Sequence, residues 1–321
     1  MAVNVSERSA ARQPYPACPA CSATTIRRIG ALPTSPFFAG RARDVPVPPG
    51  TLYRCRACLL VFRYPRPDAE QLIEMYAAGA PDTWAAVINV RPDWDLAAEW
   101  VAQSHPTGSV LDVGCFDGGF SSLLPEGVAR FGVEIHAEAA QRAAELHNVT
   151  IVGADYNDVT DRPDTYDCIA SFDMIEHVAS PQELLTVLAS RLRDGGSLII
   201  GTGNADAPTW RFMRARYWYC FFPEHISFIS PRWARKAAAA SGLRVVRIER
   251  LSRGAGYGNF TVETAKNVTF RLMPKRLSAA LRRRQARQYD GQWEGREESP
   301  PMWASSRDHF LVQFRKDAPA T

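Results

Sequence analysis

Residues 110–120 read Val-Leu-Asp-Val-Gly-Cys-Phe-Asp-Gly-Gly-Phe. Val110, Leu111 and Val113 have the character of a buried strand end, and Gly114, Gly118 and Gly119 crowd the turn that follows. Phe120-Ser-Ser-Leu-Leu is then expected to open a helix. A glycine-rich turn between strand and helix lets backbone N–H groups approach a ligand where no side chain would fit. In such a unit the next strand should end on an acid placed to hold ribose hydroxyls. Phe131-Gly132-Val133-Glu134 meets that expectation, with Glu134 standing 22 residues beyond Asp112. The stretch therefore predicts a nucleoside-cofactor site.

Outward from this turn the chain alternates strand and helix. Strands are expected at Ser109–Val113, Arg130–Glu134, Thr150–Val152, Tyr166–Ser171, Ser197–Gly201, Arg244–Glu249 and His309–Phe314, with helices such as Ala137–Leu146 and Pro181–Leu192 between them. That alternation argues for an α/β fold, a parallel sheet with helices on both faces. Ligands of such sheets lie beyond the carboxyl ends of the strands. Asp155 follows the third strand, where a carboxylate can accept from an adenine amino group. Asp173 ends the fourth, where it can meet a cationic amino group. His177 is expected on the helix after it.

Upstream, Cys18-Pro-Ala-Cys21 and Cys55-Arg-Ala-Cys58 are two C-x-x-C pairs among seven cysteines. Each pair forms a knuckle, and together Cys18, Cys21, Cys55 and Cys58 predict a closed tetrahedral zinc site of structural type, with Pro33–Gly50 filling the gap as a hairpin or loop. Asp68–Tyr76 reads as a capped helix, from which Tyr76 can reach a substrate. Residues 84–103 carry Trp84, Trp94, Leu96, Trp100 and Val101, expected as helices packed over the main domain.

Hydrophobic content of 46% suffices for a core, and a net charge of +4 is too small to mark a nucleic-acid protein. No run of 18 apolar residues and no apolar leader is present, so the cytoplasm is the expected location. The expected organisation is a tail (1–13), a zinc-ribbon module (14–67), a helical cap (68–106), a core (107–263) with a substrate segment (204–232), and a basic C-terminal segment with the last strand (264–321).

The turn Asp112-x-Gly114-x-Phe116-x-Gly118 resembles the D/E-x-G-x-G-x-G motif of class I S-adenosylmethionine (SAM) methyltransferases, with Phe116 in place of the middle glycine and its ring expected to point away from the cofactor. Arg193-Asp194-Gly195-Gly196-Ser197 resembles the turn into the fifth strand of that class. Pro223-Glu224-His225-Ile-Ser-Phe-Ile-Ser-Pro231 resembles the "PEHxxFFSP" segment of methyltransferases acting on sugars, with Ile229 departing from the second Phe. Together with the cysteine pairs, this is similar to the sugar C- and O-methyltransferases of antibiotic and surface-polysaccharide pathways. The resemblance implies a seven-stranded Rossmann-like sheet with an antiparallel last strand, SAM as cofactor, and a sugar-type acceptor that is free, nucleotide-linked or lipid-linked.

Cofactor-binding residues expected from the motif are Asp112, Gly114, Cys115, Phe116, Gly118, Glu134, Ile135, Asp155, Tyr156, Phe172 and Asp173. A hydroxyl, or a carbon alpha to a ketone, attacks the methyl group only when its proton is accepted. His225 is the first candidate base, Glu224 its orienter or a sugar ligand, and His177 the second histidine. Tyr217, Trp218 and Tyr219 suit either a sugar pocket or the core. Two other readings are weighed: an RNA methyltransferase using the ribbon with Arg54, Arg56, Arg63 and Arg66, and a non-catalytic SAM-binding scaffold. Residues 264–289, basic and without an acid, are expected to pack on the domain or to meet a phosphate-bearing acceptor or an anionic membrane at the inner face.

Overall fold

The structure, a computed structural model, describes residues 16–79, 91–160, 162–252, 260–274 and 305–317, with 276, 277 and 280. Its strands in chain order are β1 (Ile26–Leu32), β2 (Ser35–Phe38), β3 (Arg41–Val47), β4 (Gly50–Cys55), β5 (Val61–Tyr64), β6 (Ser109–Val113), β7 (Ala129–Val133), β8 (Thr150–Gly153), β9 (Tyr166–Phe172), β10 (Leu192–Gly203), β11 (Ser227–Phe228), β12 (Leu243–Leu251) and β13 (His309–Lys316). Seven of them form the main sheet in the order β12-β13-β10-β9-β6-β7-β8. All seven expected strands are present, and β13 runs antiparallel to both β10 and β12.

The fold is therefore α/β, a seven-stranded mixed sheet covered on both faces. One face packs Leu184, Leu185, Leu188, Trp233 and Ala234 of helices Pro181–Ser190 and Pro231–Ala240 against Leu111, Ile169 and Leu198. The other packs Ala97, Trp100 and Val101 of helix Pro92–Ser104 against Val110, Ala170 and Ile199. Ser180 and Ser230 cap their helices by accepting from the N–H three residues on, just ahead of Pro181 and Pro231.

The helix expected from Phe120 is only the single turn Ser121–Leu123. Pro125 follows too closely: it forces Leu124 into an extended conformation (ψ 149°), which ends the helical path. The expected helix under His177 is also absent. Asp173–Ser180 is a series of turns that begins with Asp173 at φ +50°.

The N-terminal cysteine module is a sheet β1-β4-β5-β11, with the β2–β3 hairpin in the gap between cysteine pairs. Its fourth strand, β11, comes from the segment expected to hold the substrate, so the module is continuous with the core. Asp68 and Gln71 form the reciprocal cap of helix Ala69–Ala77. Trp84, the tail 1–13 and the basic positions Lys275, Arg282, Arg283, Arg284 and Arg287 lie outside the described residues. Among the described residues no helix is long and apolar enough to cross a membrane.

Candidate active site

The glycine-rich turn leaves β6 with Gly114 at φ +80° and Gly118 at φ +84°. A Cβ at Gly118 would stand 3.0 Å from the His147 ring and 3.2 Å from Ala143, so the turn lies directly on helix Ala137–His147. Phe116 also takes positive φ, +49°, with its ring 5.9 Å from the Arg142 guanidinium. Its N–H donates to Glu134 Oε2 at 2.8 Å, and the His136 N–H donates to Oε1 at 2.9 Å. Glu134 thus ends β7 8% exposed, each oxygen holding one amide and retaining a lone pair. Burial raises its carboxyl pKa, against which these amides work.

Asp112 is 2% exposed and its Oδ1 has no hydrogen-bond partner among the described residues. Burial, then the Glu134 charge, pushes its carboxyl up to about 8, while Arg91 opposes them. Trp94 Nε1 is a second buried polar atom without a partner in the same region, and its ring meets Phe172 at 6.2 Å. Orphaned polar atoms beside a glycine turn are what a bound polar cofactor would satisfy. Cys115 is buried beneath the turn with Val149 and Ala143, Ile135 is half-buried, and Phe172 packs on Phe120 at 4.7 Å.

Asp155 caps the turn Tyr156–Val159, accepting from the N–H and side-chain amide of Asn157 at 2.9 and 2.7 Å. Tyr156 is buried beside it. Asp173 is ion-paired with Arg91 at 3.0 Å. Arg91 also forks onto Asp93 at 2.9 and 2.7 Å and lies 4.4 Å over Trp94. Sequence reasoning missed Arg91: it stands 21 residues before Asp112 and is brought back by helix Pro92–Ser104.

The turns after Asp173 carry the second cluster. His177 Nδ1 and the Tyr76 hydroxyl are hydrogen-bonded to each other, and the Glu224 carbonyl lies 3.2 Å from the first and 3.3 Å from the second. Burial lowers the His177 pKa and keeps the ring neutral. The His177 and His225 rings are 4.8 Å apart. His225 Nδ1 meets the Tyr219 carbonyl at 2.9 Å. With Nδ1 as donor, Nε2 carries the lone pair.

Between them sits Glu176, 1% exposed, accepting from the Tyr219 hydroxyl and from Thr202 Oγ1 at 2.9 Å. Burial, followed by the Asp173 charge, pushes its carboxyl up to about 7. It was not singled out in the sequence because its partners come from β10 and the turn Trp218–Phe221. Glu224 itself is 6% exposed with Oε2 lacking a partner among the described residues. Tyr217 belongs to the core: it is 1% exposed, its hydroxyl held by Ser305 and Asp308 at 3.0 and 3.1 Å.

The four module thiols converge. Cys18 Sγ is 3.5 Å from Cys58 Sγ, Cys21 Sγ is 3.6 Å from Cys55 Sγ, and all four lie within 4.8 Å of one another. Four sulfurs about 2.3 Å from a tetrahedral ion would be separated by roughly 3.8 Å, so the set fits a metal. The Cys58 N–H points at Cys55 Sγ, 3.4 Å away.

Comparison with known proteins bears on the fold and on the class of reaction. A ubiquinone biosynthesis O-methyltransferase of Paraburkholderia xenovorans (strain LB400) is 26% identical over 200 residues, 56% of this chain and 84% of that protein. A protein of the same description from Ralstonia nicotianae is 25% identical over 203 residues, 57% of this chain and 84% of its own. The solved structure of the [4+2]-cyclase SpnF shares the fold at TM-score 0.50 and 15% identity, over 79% of this chain and 97% of that one. Residues 76–248, more than half of the chain, match the family described as a methyltransferase domain, and the chain belongs to it as a class I SAM-dependent methyltransferase.

Proposed function

We propose that the chain transfers the SAM methyl group to a sugar-type hydroxyl, or to a carbon alpha to a sugar ketone, held at the Tyr76–His177–Glu224–His225 cluster. The observation that carries this reading is the single set of turns Asp173–Ser180 at the carboxyl end of β9. Asp173 at its start pairs with Arg91, and Met174 beside it lies against Gly114 of the glycine turn; Glu176 and His177, three and four residues on from Asp173, lie against His225. One short segment thus joins a cofactor wall to an acceptor wall, as in-line transfer requires.

SAM supplies an electrophilic methyl on a sulfonium. Glu134 holds the ribose hydroxyls with the lone pairs its amide bonds leave. Asp155 takes the adenine amino group. Arg91 and Asp173 form a matched pair for the carboxylate and ammonium of the methionine end, and Asp112 adds a further acceptor. His225 Nε2 removes the acceptor proton, its ring fixed by the Tyr219 carbonyl. The neutral His177 and Tyr76 orient the acceptor by hydrogen bonds, and Glu176 holds the Tyr219 side chain under His225. Cys18, Cys21, Cys55 and Cys58 would hold a structural zinc as its full ligand set, which would leave it no open position for chemistry.

The ubiquinone O-methyltransferase relatives favour a second reading, a phenolic acceptor. A His base at this position serves a phenol as well as a sugar. The test is SAH release and product mass with nucleotide-linked sugars and their keto forms against hydroxylated quinone precursors. Turnover restricted to the phenols would replace the sugar reading.

A further inference from the structure

Glu176, His177 and His225 gather three metal-ligating side chains at the acceptor cluster. One carboxylate oxygen of Glu176 and one ring nitrogen of each histidine lie within 4.8 Å of one another. To stand about 2.1 Å from a zinc-type ion, each donor would move inward by about 0.7 Å at most. Two imidazoles and a carboxylate suit zinc, cobalt or nickel better than magnesium or calcium, which favour oxygen ligands throughout.

The way these side chains are held separates the set from a chance gathering. The Ile226 and Ser227 N–H groups both donate to the Glu176 carbonyl, at 2.9 and 3.0 Å, so the segment after His225 is fastened to the turns that carry Glu176 and His177. Tyr219 grips two of the three groups. Its hydroxyl donates to Glu176 Oε1, and its backbone carbonyl meets His225 Nδ1 at 2.9 Å. A metal-bound histidine is commonly fixed in this way, one nitrogen donating to a carbonyl while the other keeps its lone pair for the ion. Tyr219 is itself 3% exposed and packed on β10, where a Cβ at Gly203 would stand 2.7 Å from its ring. Thr202 Oγ1 donates to Glu176 Oε2 at 2.9 Å, so each carboxylate oxygen has one donor and a lone pair left over. His177 is held at Nδ1 by the Tyr76 hydroxyl and the Glu224 carbonyl, and it is only half-buried, so the cluster is reachable from outside.

We propose that Glu176, His177 and His225 form a second metal site, which takes a divalent ion of the zinc type through three protein ligands and leaves one position open. Its donors carry one negative charge against as many as four among the cysteines, so it fills and empties with the free metal while the cysteine site stays loaded. On the reading of His225 as the proton acceptor, a bound ion takes up the lone pair that the reaction uses, and the site becomes a point at which free metal halts methyl transfer.

The test titrates Co²⁺ into the full zinc-loaded chain with SAH. One equivalent should bind with ligand-field absorption and without the thiolate-to-cobalt charge transfer that would mark the cysteine set. His225→Ala and Glu176→Gln should each weaken binding by about 10²-fold or more, and Tyr219→Phe, which removes only the hydroxyl on Glu176, by about tenfold or more. SAH affinity within about threefold of wild type certifies that each variant is folded. Cobalt that binds only with thiolate absorption, or as tightly in His225→Ala and Glu176→Gln as in wild type, overturns the site. Methyl transfer, to whichever of the nucleotide-linked sugars or phenols is turned over, should fall as cobalt fills the site, and full transfer at saturation overturns the inhibition. Undiminished transfer in metal-free His225→Ala would instead defeat the base reading and leave the cobalt titration standing.

Discussion

Replacing Glu134 by Ala removes the acid that ends β7 and with it two kinds of hydrogen bond. The first kind is present in the free protein: Phe116 N–H to Oε2 at 2.8 Å and His136 N–H to Oε1 at 2.9 Å. The second, on the proposed reading, is the pair of ribose hydroxyls that the remaining lone pairs would accept. Hydrogen bonds to a buried charged group contribute about 1.5–3 kcal/mol each, so losing the ribose pair costs about 3–6 kcal/mol. That is roughly 10²–10⁴ in Kd. At 8% exposure little solvent screening reduces the effect. Loosening of the Phe116 turn adds to it, since that residue's φ of +49° is held partly by the same carboxylate. Glu134→Gln keeps one acceptor but turns an amide NH₂ toward a backbone N–H, and should lose about half as much free energy. Calorimetry with SAH reads both variants without turnover, and an unfolding curve checks that each remains folded. Glu134→Ala binding SAH within about twofold of wild type would refute the ribose assignment and the reasoning that led from the sequence spacing to it.

Asp112 gives a pH signature: its folded carboxyl lies near 8 against an ordinary 3.8, so the protonated fold is most stabilised below about 4 and that contribution drains as pH rises through 8. The Asp112 share of the decline, up to about 1.4 kcal/mol per pH unit in cofactor-free protein, should be missing from Asp112→Asn, which keeps the share of Glu176, raised to about 7; denaturation midpoints of the two proteins that run parallel from pH 5.5 to 7.5 would contradict it. Metal analysis should find zinc stoichiometric with chain, and Cys55→Ser should release it while SAH affinity holds; full zinc occupancy in that variant excludes the Cys18, Cys21, Cys55 and Cys58 set. His225→Ala should lower methyl transfer by about 10²-fold or more with unchanged SAH affinity, and undiminished turnover would move the base role to His177.

The main sheet was legible because strands such as β6, β7 and β9 are short apolar runs followed by glycine or acid, a local pattern. The cofactor turn was legible for the same reason. What escaped were contacts between distant segments. Arg91 precedes a proline and reads as a loop charge until helix Pro92–Ser104 returns it to Asp173. Glu176 was passed over in favour of its neighbour His177, although it is the more deeply buried. A helix was expected after Asp173 to carry His177, but positive φ at Asp173 turns the chain out of a helical path. The cysteine pairs announced a module, yet nothing near them in sequence announced that β5 would join β11, with Phe62 opposite Ser227.

The position of β13 has a consequence for how the protein is made. Among the described residues β12 is hydrogen-bonded in the main sheet only through β13, and β13 also covers the inner edge of β10 along Ser197–Gly203. A nascent chain that has emerged through residue 252 therefore presents a seven-residue strand edge on β10 and an orphaned β12, with the apolar groove between them waiting for Phe310, Leu311, Val312 and Phe314. Such edges are templates for pairing with other chains. During synthesis the cofactor strands β6 to β9 can settle early, but the ribosome must deliver about sixty further residues before the sheet closes. Chaperone dependence, and aggregation of chains interrupted anywhere in that interval, should concentrate on this one late insertion.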